Sequence, residues 1–391
     1  MAKEVTLMPW ETVSTMDQKI QLIADWQTKQ LSITDLSKKY GISRPIVYKW
    51  TTRYKQQGVD GLKEQNRAPI HSPNQTADDI VKLIIKEKLK NRKRGPKKVL
   101  YQLKRQYPNI NWPAASTIGD WLKKHGLVNK RKKRQRVPPY TQPFIKAQSP
   151  NDVWSADYKG QFYTKDRHAC YPLTISDNYS RYLFKCTGLP GPRYRITRAV
   201  FEQVFREYGL PDAIRIDNGI PFAGRCAGGL SRLSIWWIQL GIAPERIDKG
   251  CPQQNGRHER MHRTLKLEAI DTMALNMKEQ QKRFNRFLYD YNNYRPHESL
   301  NNEPPINYYK KSIRPYVEKP QAIDYDLDYT VRSVRCNGYF RFNGNMYYLT
   351  DLLHKERIGL KEFADGQWTI YYSFCPIGIL DLRKNKVVKF N

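Results

Sequence analysis

The sequence predicts a multidomain chain: all-α helix-turn-helix modules at the N-terminus, a central α/β unit on a mixed sheet, and a small β-barrel at the C-terminus. Three observations predict it. At 391 residues the chain exceeds what one hydrophobic core usually holds. Its apolar period is helical up to residue 128, alternates between strand and helix from 151, and ends in short strands separated by Asn-Gly and Asp-Gly. The charge is uneven: of a formal net charge of +31, +20 falls in the first 150 residues. An excess on this scale points to a polyanionic partner. The 26 Tyr, 13 Phe and 9 Trp argue for packed cores rather than a merely soluble basic chain.

The same inventory excludes several classes. No apolar run reaches the 18 residues of a membrane span. The start, MAKEVTLMPWETV, lacks the apolar stretch of a signal peptide, so a cytoplasmic location is expected. Disorder throughout is excluded by 39% hydrophobic residues in periodic blocks. None of the six cysteines forms a CxxC pair, so neither a structural zinc site nor a disulfide framework is expected.

Residues 1–65 form the first module. Ser32 and Asp35 read as a capping box that opens a short helix. Gly41-Ile42-Ser43 is a tight turn, and Ser43 caps a second helix with Pro45 in its first turn. That helix buries Val47, Trp50 and Tyr54 and presents Arg44, Tyr48, Lys49 and Arg53 outward, ending at Gly58. Two short helices with a basic outer face on the second match a DNA-binding helix-turn-helix; a plain hairpin with a solvated face is the alternative.

Residues 72–128 read as a second such module. A cap at Thr76 opens its first helix, Val99–Tyr107 forms the second, and Pro113 starts the third. Lys97 and Lys98 mark its edge as candidate DNA contacts, and Lys90–Arg94 reads as an exposed basic loop. Residues 129–150 are a basic linker. Its Arg131, Lys132, Lys133 and Arg134 would self-repel unless neutralised, which favours contact with phosphates over a merely solvated tether.

Residues 151–310 change character. Strand-like Val153–Tyr158, Ala169–Ile175 and Tyr182–Cys186 precede a helix over Ile196–Tyr208, a strand over Ala213–Asp217 and helices over Leu230–Leu240, Asn255–Ala269 and Lys278–Asn293. Residues 325–391 carry hairpin signals at Asn337-Gly338, Asn343-Gly344 and Asp365-Gly366. These bound strands at Ser333–Cys336, Tyr339–Phe342, Met346–Leu349 and Trp368–Tyr372, as in a small barrel.

Asp157 and Asp217 end predicted strands, where α/β sheets place their sites, and Glu259 lies on a helix that starts near Asn255. Three acids gathered in a basic protein would repel one another unless they hold hard divalent cations such as Mg²⁺. Two such ions about 3.5–4 Å apart can activate a nucleophile and stabilise a leaving oxygen at phosphorus. Each acid alone is weak evidence, since an Asp after a strand is often a turn former and a Glu in a first helical turn serves the helix dipole.

The stretches Trp154–Gly160 (WSADYKG), Arg215–Gly219 (RIDNG) and Gln254–Arg260 (QNGRHER) closely resemble the Asp-Asp-Glu motifs of insertion-sequence transposases, and Tyr294–Leu300 followed by Pro304-Pro305 resembles the end of their core. The resemblance covers residues 10–310. It implies a ribonuclease H-like integrase core over residues 151–310, with Asp157, Asp217 and Glu259 as catalytic metal ligands for two Mg²⁺ ions, Mn²⁺ being a possible substitute. It implies a DNA transposase that binds an element's terminal inverted repeats, cleaves the ends to 3′-hydroxyls and joins them to target DNA. The partners it implies are double-stranded DNA and further copies of the chain in a homodimer or larger assembly, with no membrane, in a bacterial cytoplasm on the nucleoid. A domesticated DNA-binding regulator, or a Mg-dependent nuclease without strand transfer, is the alternative.

In that family basic residues beyond the Glu contact the DNA end, which makes Arg263 and Lys266 candidates, with a solvated helix face as the alternative. Lys159, Asn218 and His258 adjoin the acids as possible support, together with Tyr158. Neither His258 nor His262 stands at metal-ligand spacing with a cysteine, and a carboxylate Mg²⁺ site requires no His. One departure is the spacing: 41 residues separate Asp217 from Glu259, more than in retroviral integrases, with a Gly-rich insertion near Phe222–Leu230. The other is the N-terminus, which lacks the His/Cys zinc module of those integrases.

Overall fold

The computed structural model describes residues 14–64, 75–128, 147–224, 226–248 and 252–388. Arg131, Lys132, Lys133 and Arg134 of the expected linker lie outside them. The chain divides into two compact units, Met1–Gln75 and Thr76–Asn391.

The first unit holds three helices, α1 (Thr15–Gln27), α2 (Ile33–Lys39) and α3 (Arg44–Gln57). Ser14 with Asp17 and Ser32 with Asp35 make reciprocal capping boxes that satisfy free N–H groups at the starts of α1 and α2. Ser43 takes the cap position of α3, but its side chain makes no capping bond. Gly41 turns the chain between α2 and α3 at φ +63°, a left-handed conformation that a Cβ would strain. Leu22, Ile23, Leu36, Val47, Trp50 and Leu62 form the core.

The second unit opens with α4 (Asp78–Lys90), α5 (Pro96–Gln106) and α6 (Ala115–Lys124), packed around Ile84, Val99, Leu103, Ile118 and Leu122. The cap expected at Thr76 is not made. Ala77 precedes α4, and Asp78 and Asp79 instead meet the positive end of the helix. Helix α5 starts at Pro96, a residue suited to a first turn, and α6 starts two residues after Pro113.

Next come β1 (Val153–Tyr158), β2 (Phe162–Tyr163), β3 (Ala169–Asp177), β4 (Leu183–Leu189), α7 (Tyr194–Tyr208), β5 (Ala213–Ile216), α8 (Arg232–Gln239), β6 (Ala243–Arg246), α9 (Gly256–Leu265) and α10 (Met277–Asn293). They build the mixed sheet that the sequence predicts. Strands β2, β4 and β1 pair antiparallel with β3, and β5 and β6 continue parallel beyond β1. Side-chain alternation sends Trp154, Ala156, Leu173 and Ile175 to one face, under α7 and α8. On the other face Met261, Leu265, Phe284 and Phe287 of α9 and α10 pack on Cys170, Leu183 and Cys186.

The helical module is fastened to this sheet domain. Arg94, expected in an exposed loop, is only 4% exposed and makes a two-pronged bond to Asp290 at 2.8 and 2.9 Å. Lys88 holds the same loop by donating to the carbonyls of Arg92 and Arg94. Lys93 pairs with Asp271, Tyr101 donates to Glu303, and Gln102 donates to the carbonyl of Tyr294.

The C-terminal segment holds β7 (Thr330–Ser333), β8 (Tyr339–Phe342), β9 (Asn345–Tyr348), β10 (Arg357–Ala364), β11 (Gln367–Tyr372), β12 (Cys375–Asp381) and β13 (Lys386–Val388). Five strands pair in the open order β13-β12-β11-β10-β7, and β8 and β9 form a separate hairpin turned by Asn343 and Gly344, both at positive φ. The pairings of the described residues contain no closure into a barrel. The sheet shares its core with the central sheet domain: Leu230, Ile235 and Ile238 pack among Phe340, Tyr347 and Tyr372. Among the described residues no helix is long and apolar enough to cross a membrane, and Cys170, Cys186, Cys226, Cys336 and Cys375 are free.

Candidate active site

Alternation along β1 decides where Asp157 points. Trp154 and Ala156 enter the core under α7 and α8, so Ser155 and Asp157 take the opposite face, toward α9. Asp157 lies across from Thr174 in the antiparallel register of β1 and β3. Asp217 follows the end of β5, which is parallel to β1, so both acids stand at the C-terminal edge of the sheet. The main-chain N–H of Gly219 donates to Asp217 at 3.1 Å, and a Cβ at 219 would stand 2.9 Å from that carboxylate. Glycine here keeps the acid free of a neighbouring side chain. Across the β5–β6 pair, Arg215 bonds Glu245 at 2.6 Å and braces the strand that leads to Asp217.

Helix α9 buries His258, Met261, His262 and Leu265, a stripe at i, i+3, i+4 and i+7. Glu259, Arg260, Arg263 and Lys266 are exposed beside it. Asp157, Glu259, His262, Lys159, Arg263 and Lys266 line one open cleft of about 740 Å³. The helix expected to continue to Ala269 becomes a π-turn over Lys266–Ile270, in which Glu268 meets Arg295 at 2.6 Å.

The acids are electrostatically unsettled. Burial pushes the Asp157 carboxyl up to about 7, helped by the charges of Asp217 and Glu259 and opposed by Lys159. Burial also raises Asp217. A further buried acid, Asp177, accepts bonds from the Ser180 N–H and hydroxyl and from the Asn151 N–H, and so serves a turn. Carboxylate oxygens of this kind, desolvated and near one another, suit a hard divalent cation.

Behind Asp157 lies a buried network. The Thr174 hydroxyl donates to the Asp157 carbonyl at 3.1 Å and meets His258 Nε2 at 2.7 Å and His262 Nε2 at 2.6 Å. Ser176 Oγ lies 3.2 Å from His258 Nδ1, and His262 Nδ1 lies 3.6 Å from Asp157 Oδ2. Desolvation pushes His258 down to about 3 and His262 well below its ordinary value, so both rings are neutral at pH 7. Among the described residues Asp157, His258 and His262 bring potential ligand atoms within 4.8 Å of one another. The sequence points only to His258, and the place of His262 and Thr174 was missed. The available signal was the i, i+4 spacing of two histidines beside Glu259.

The remaining candidates fall in varied places. Lys159 lines the cleft, Tyr158 is bonded to Thr197, and Asn218 donates to the carbonyl of Ile247. Lys97 is engaged by Glu298 at 2.7 Å. Lys98 is half-buried, and desolvation beside Arg295 lowers its ammonium to about 8. Both lysines therefore face the joint between α5 and the sheet domain. In the first unit Arg44, Tyr48 and Lys49 are exposed on α3, and Arg53 lies over the Trp50 ring. A second groove of about 820 Å³, lined by Lys90, Arg92, Lys93, Thr272, Arg283 and Arg286, was not anticipated as a groove. The two acids in its wall, Asp290 and Glu268, are held by Arg94 and Arg295.

The site is thus an open cleft at the edge of a mixed sheet, with Asp157 and Glu259 in its wall beside a basic helix face and Asp217 on the neighbouring strand end. Comparison with known proteins bears on the family. An integrase core domain matches residues 240–305, a helix-turn-helix domain residues 18–70, and the IS481 family transposase C-terminal domain residues 329–388. An uncharacterised 31.7 kDa protein of insertion element IS407 from Burkholderia multivorans is 25% identical over 186 residues, 47% of this chain and 64% of that protein. The Gag-Pol polyprotein of baboon endogenous virus is 28% identical over 128 residues, 32% of this chain and 7% of the polyprotein. The chain thus spans less than two thirds of the length of these curated relatives. Two solved structures are similar: the HTLV-2 integrase catalytic core domain in complex with magnesium (16% identity, TM-score 0.34, 42% of this chain and 100% of that one) and a simian T-cell lymphotropic virus intasome with the PP2A regulatory subunit B56 gamma (15%, 0.37, 79% and 98%). The chain has the domain content of an insertion-sequence transposase with an integrase-type core, the family its acidic motifs resemble.

Proposed function

We propose that the protein is a DNA transposase that binds the terminal inverted repeats of a mobile element, cuts its ends to 3′-hydroxyls and joins them to target DNA. The observation that carries this reading is the cleft itself, in which the desolvated Asp157 on the sheet meets Glu259 and the cations of α9, with Asp217 close enough to raise the Asp157 carboxyl. Asp157, Asp217 and Glu259 would hold two divalent ions, Mg²⁺ or in its place Mn²⁺. Such ions, when bound, activate an attacking hydroxyl and neutralise charge at phosphorus. The chain's own groups do the rest. Arg263 and Lys266 hold the backbone of the end, Lys159 offsets charge beside Asp157, and His258 helps to fix the strand that carries it.

Binding is divided among surfaces. Arg44, Tyr48, Lys49 and Arg53 of α3 read bases in the terminal repeat, and Arg131–Arg134 of the linker contact phosphates. The groove of Lys90, Arg92 and Arg286 carries a further stretch of backbone. Neither Arg92 nor Arg286 has a side-chain partner among the described residues, which leaves both guanidinium groups for phosphate. Substituting Gln at both positions is expected to lower the slope of log affinity against log salt by about two for a duplex end, at about 0.9 per phosphate contact. An unchanged slope, measured by fluorescence anisotropy, removes the groove from the DNA path. Working on two ends at once requires two or more copies of the chain, assembled on the bacterial nucleoid.

The function is tested by incubating the full chain, Mg²⁺, a labelled duplex end of the flanking element and a supercoiled plasmid. Joined product is expected. Cleavage without joining would instead mark a nuclease, and binding alone a regulator.

A further inference from the structure

The buried network behind Asp157 leaves one atom without a hydrogen-bonding role. Thr174 Oγ1 has three partners: the Asp157 carbonyl, His258 Nε2 and His262 Nε2. A hydroxyl has one hydrogen to give and two lone pairs, and a carbonyl can only accept. All three bonds are made in one way: Thr174 donates to the carbonyl, and both imidazoles donate Nε2–H to Thr174. Each Nδ1 then carries a lone pair. That of His258 accepts from the Ser176 hydroxyl. That of His262 faces Asp157 Oδ2 at 3.6 Å, too far for a hydrogen bond. Two atoms bound to one cation at about 2.1 Å lie about 3–3.6 Å apart, so the gap fits a shared ion.

A second observation agrees. Glu259 and His262 stand at i and i+3 on α9 and line the same cleft as Asp157. A Glu-x-x-His helix turned toward a further carboxylate is the arrangement with which helical bundles hold paired metal ions.

We propose that His262 Nδ1 is a nitrogen ligand to a divalent cation shared with Asp157, and that this ligand makes the site favour Mn²⁺ or Co²⁺ over Mg²⁺. The proposal rests on the reading of Asp157 as a metal ligand. Imidazole suits transition ions better than Mg²⁺, which keeps to oxygen. Thr174 acts as a positioning residue, because it gives its one hydrogen to the Asp157 carbonyl and so fixes the tautomer that turns the His262 lone pair toward the ion.

The test uses the full chain and Mn²⁺ alone, without DNA. Pulsed electron paramagnetic resonance of bound Mn²⁺ is expected to show coupling to a directly bound nitrogen. That coupling should vanish in His262→Ala and persist in His258→Ala, and Mn²⁺ affinity in His262→Ala should fall about tenfold to a hundredfold while Mg²⁺ affinity changes far less. His262→Asn, of similar size and polarity, should lose the coupling as well. Bound Mn²⁺ with no nitrogen coupling in the unaltered chain, or coupling retained in His262→Ala, overturns the proposal. Asp157→Asn separates the two readings. If it binds Mn²⁺ undiminished, the acid assignment fails with the proposal; if it loses Mn²⁺ while His262→Ala does not, only the proposal fails.

Discussion

Asp157→Asn, Asp217→Asn and Glu259→Gln are each expected to lower end joining by at least about a thousandfold, roughly 4 kcal/mol in the barrier. Each replacement removes one negative oxygen from a set of three and keeps the side-chain volume, so the fold and the basic surfaces stay in place. Binding of a duplex end should therefore change little, which anisotropy on the same samples would check. Asp177→Asn is the control. That acid is also buried on the sheet, but its bonds to Ser180 and Asn151 serve a turn, so its loss should lower stability and leave the chemistry of the intact protein. Joining retained in the Asp157 or Glu259 variant would sink the metal assignment.

The second large effect is on stability against pH in the absence of divalent cations. The Asp157 carboxyl titrates at about 7 in the folded chain, against about 3.9 for an ordinary Asp, and Asp217 shifts in the same direction. A raised value means that the folded state prefers the proton. The stability this gives is fully present below about pH 4 and is lost as pH rises through about 7. Three units correspond to about 4 kcal/mol as an upper figure. His258 and His262 act in the opposite sense: their lowered values cost stability as pH falls below about 6.5. The difference between two proteins isolates the acid. In EDTA at pH 8, Asp157→Asn should melt well above the unaltered chain, and the gap should close by pH 4. Adding Mn²⁺ at pH 8 should raise only the unaltered chain substantially. Parallel melting curves across the pH range would contradict the shift.

What was legible in the sequence is what local chemistry writes. Ser32 and Asp35 announce α2 within four residues, and each candidate acid sits inside a short motif at a strand end or helix start. The helix α1 is absent from the sequence expectations although Ser14 and Asp17 form the same box. In the C-terminal sheet β12 is obscured by Pro376 and Gly378, residues that argue against a strand; Pro376 is accommodated at a register shift opposite Tyr371. Partners remote in the chain were not legible. Thr174 meets His262 across 88 positions, and Arg94 meets Asp290 across 196, so a basic run that reads as solvated turns out to carry a buried clasp. Lys97, a candidate DNA contact, likewise meets Glu298 across 201 positions, a partner its own neighbours in the chain do not announce.

The core shared between α8 and the C-terminal sheet limits how the chain can be dissected. A fragment ending before β7 would leave Leu230, Ile235 and Ile238 facing water where Phe340, Tyr347 and Tyr372 now cover them. The shortest piece able to keep the chemistry therefore has to retain the last sixty residues, even though none of the three acids lies there. Residues 14–64 close their own core and depend on no such loan. The part that would choose an address on DNA can be exchanged; the part that would react there has to be kept whole.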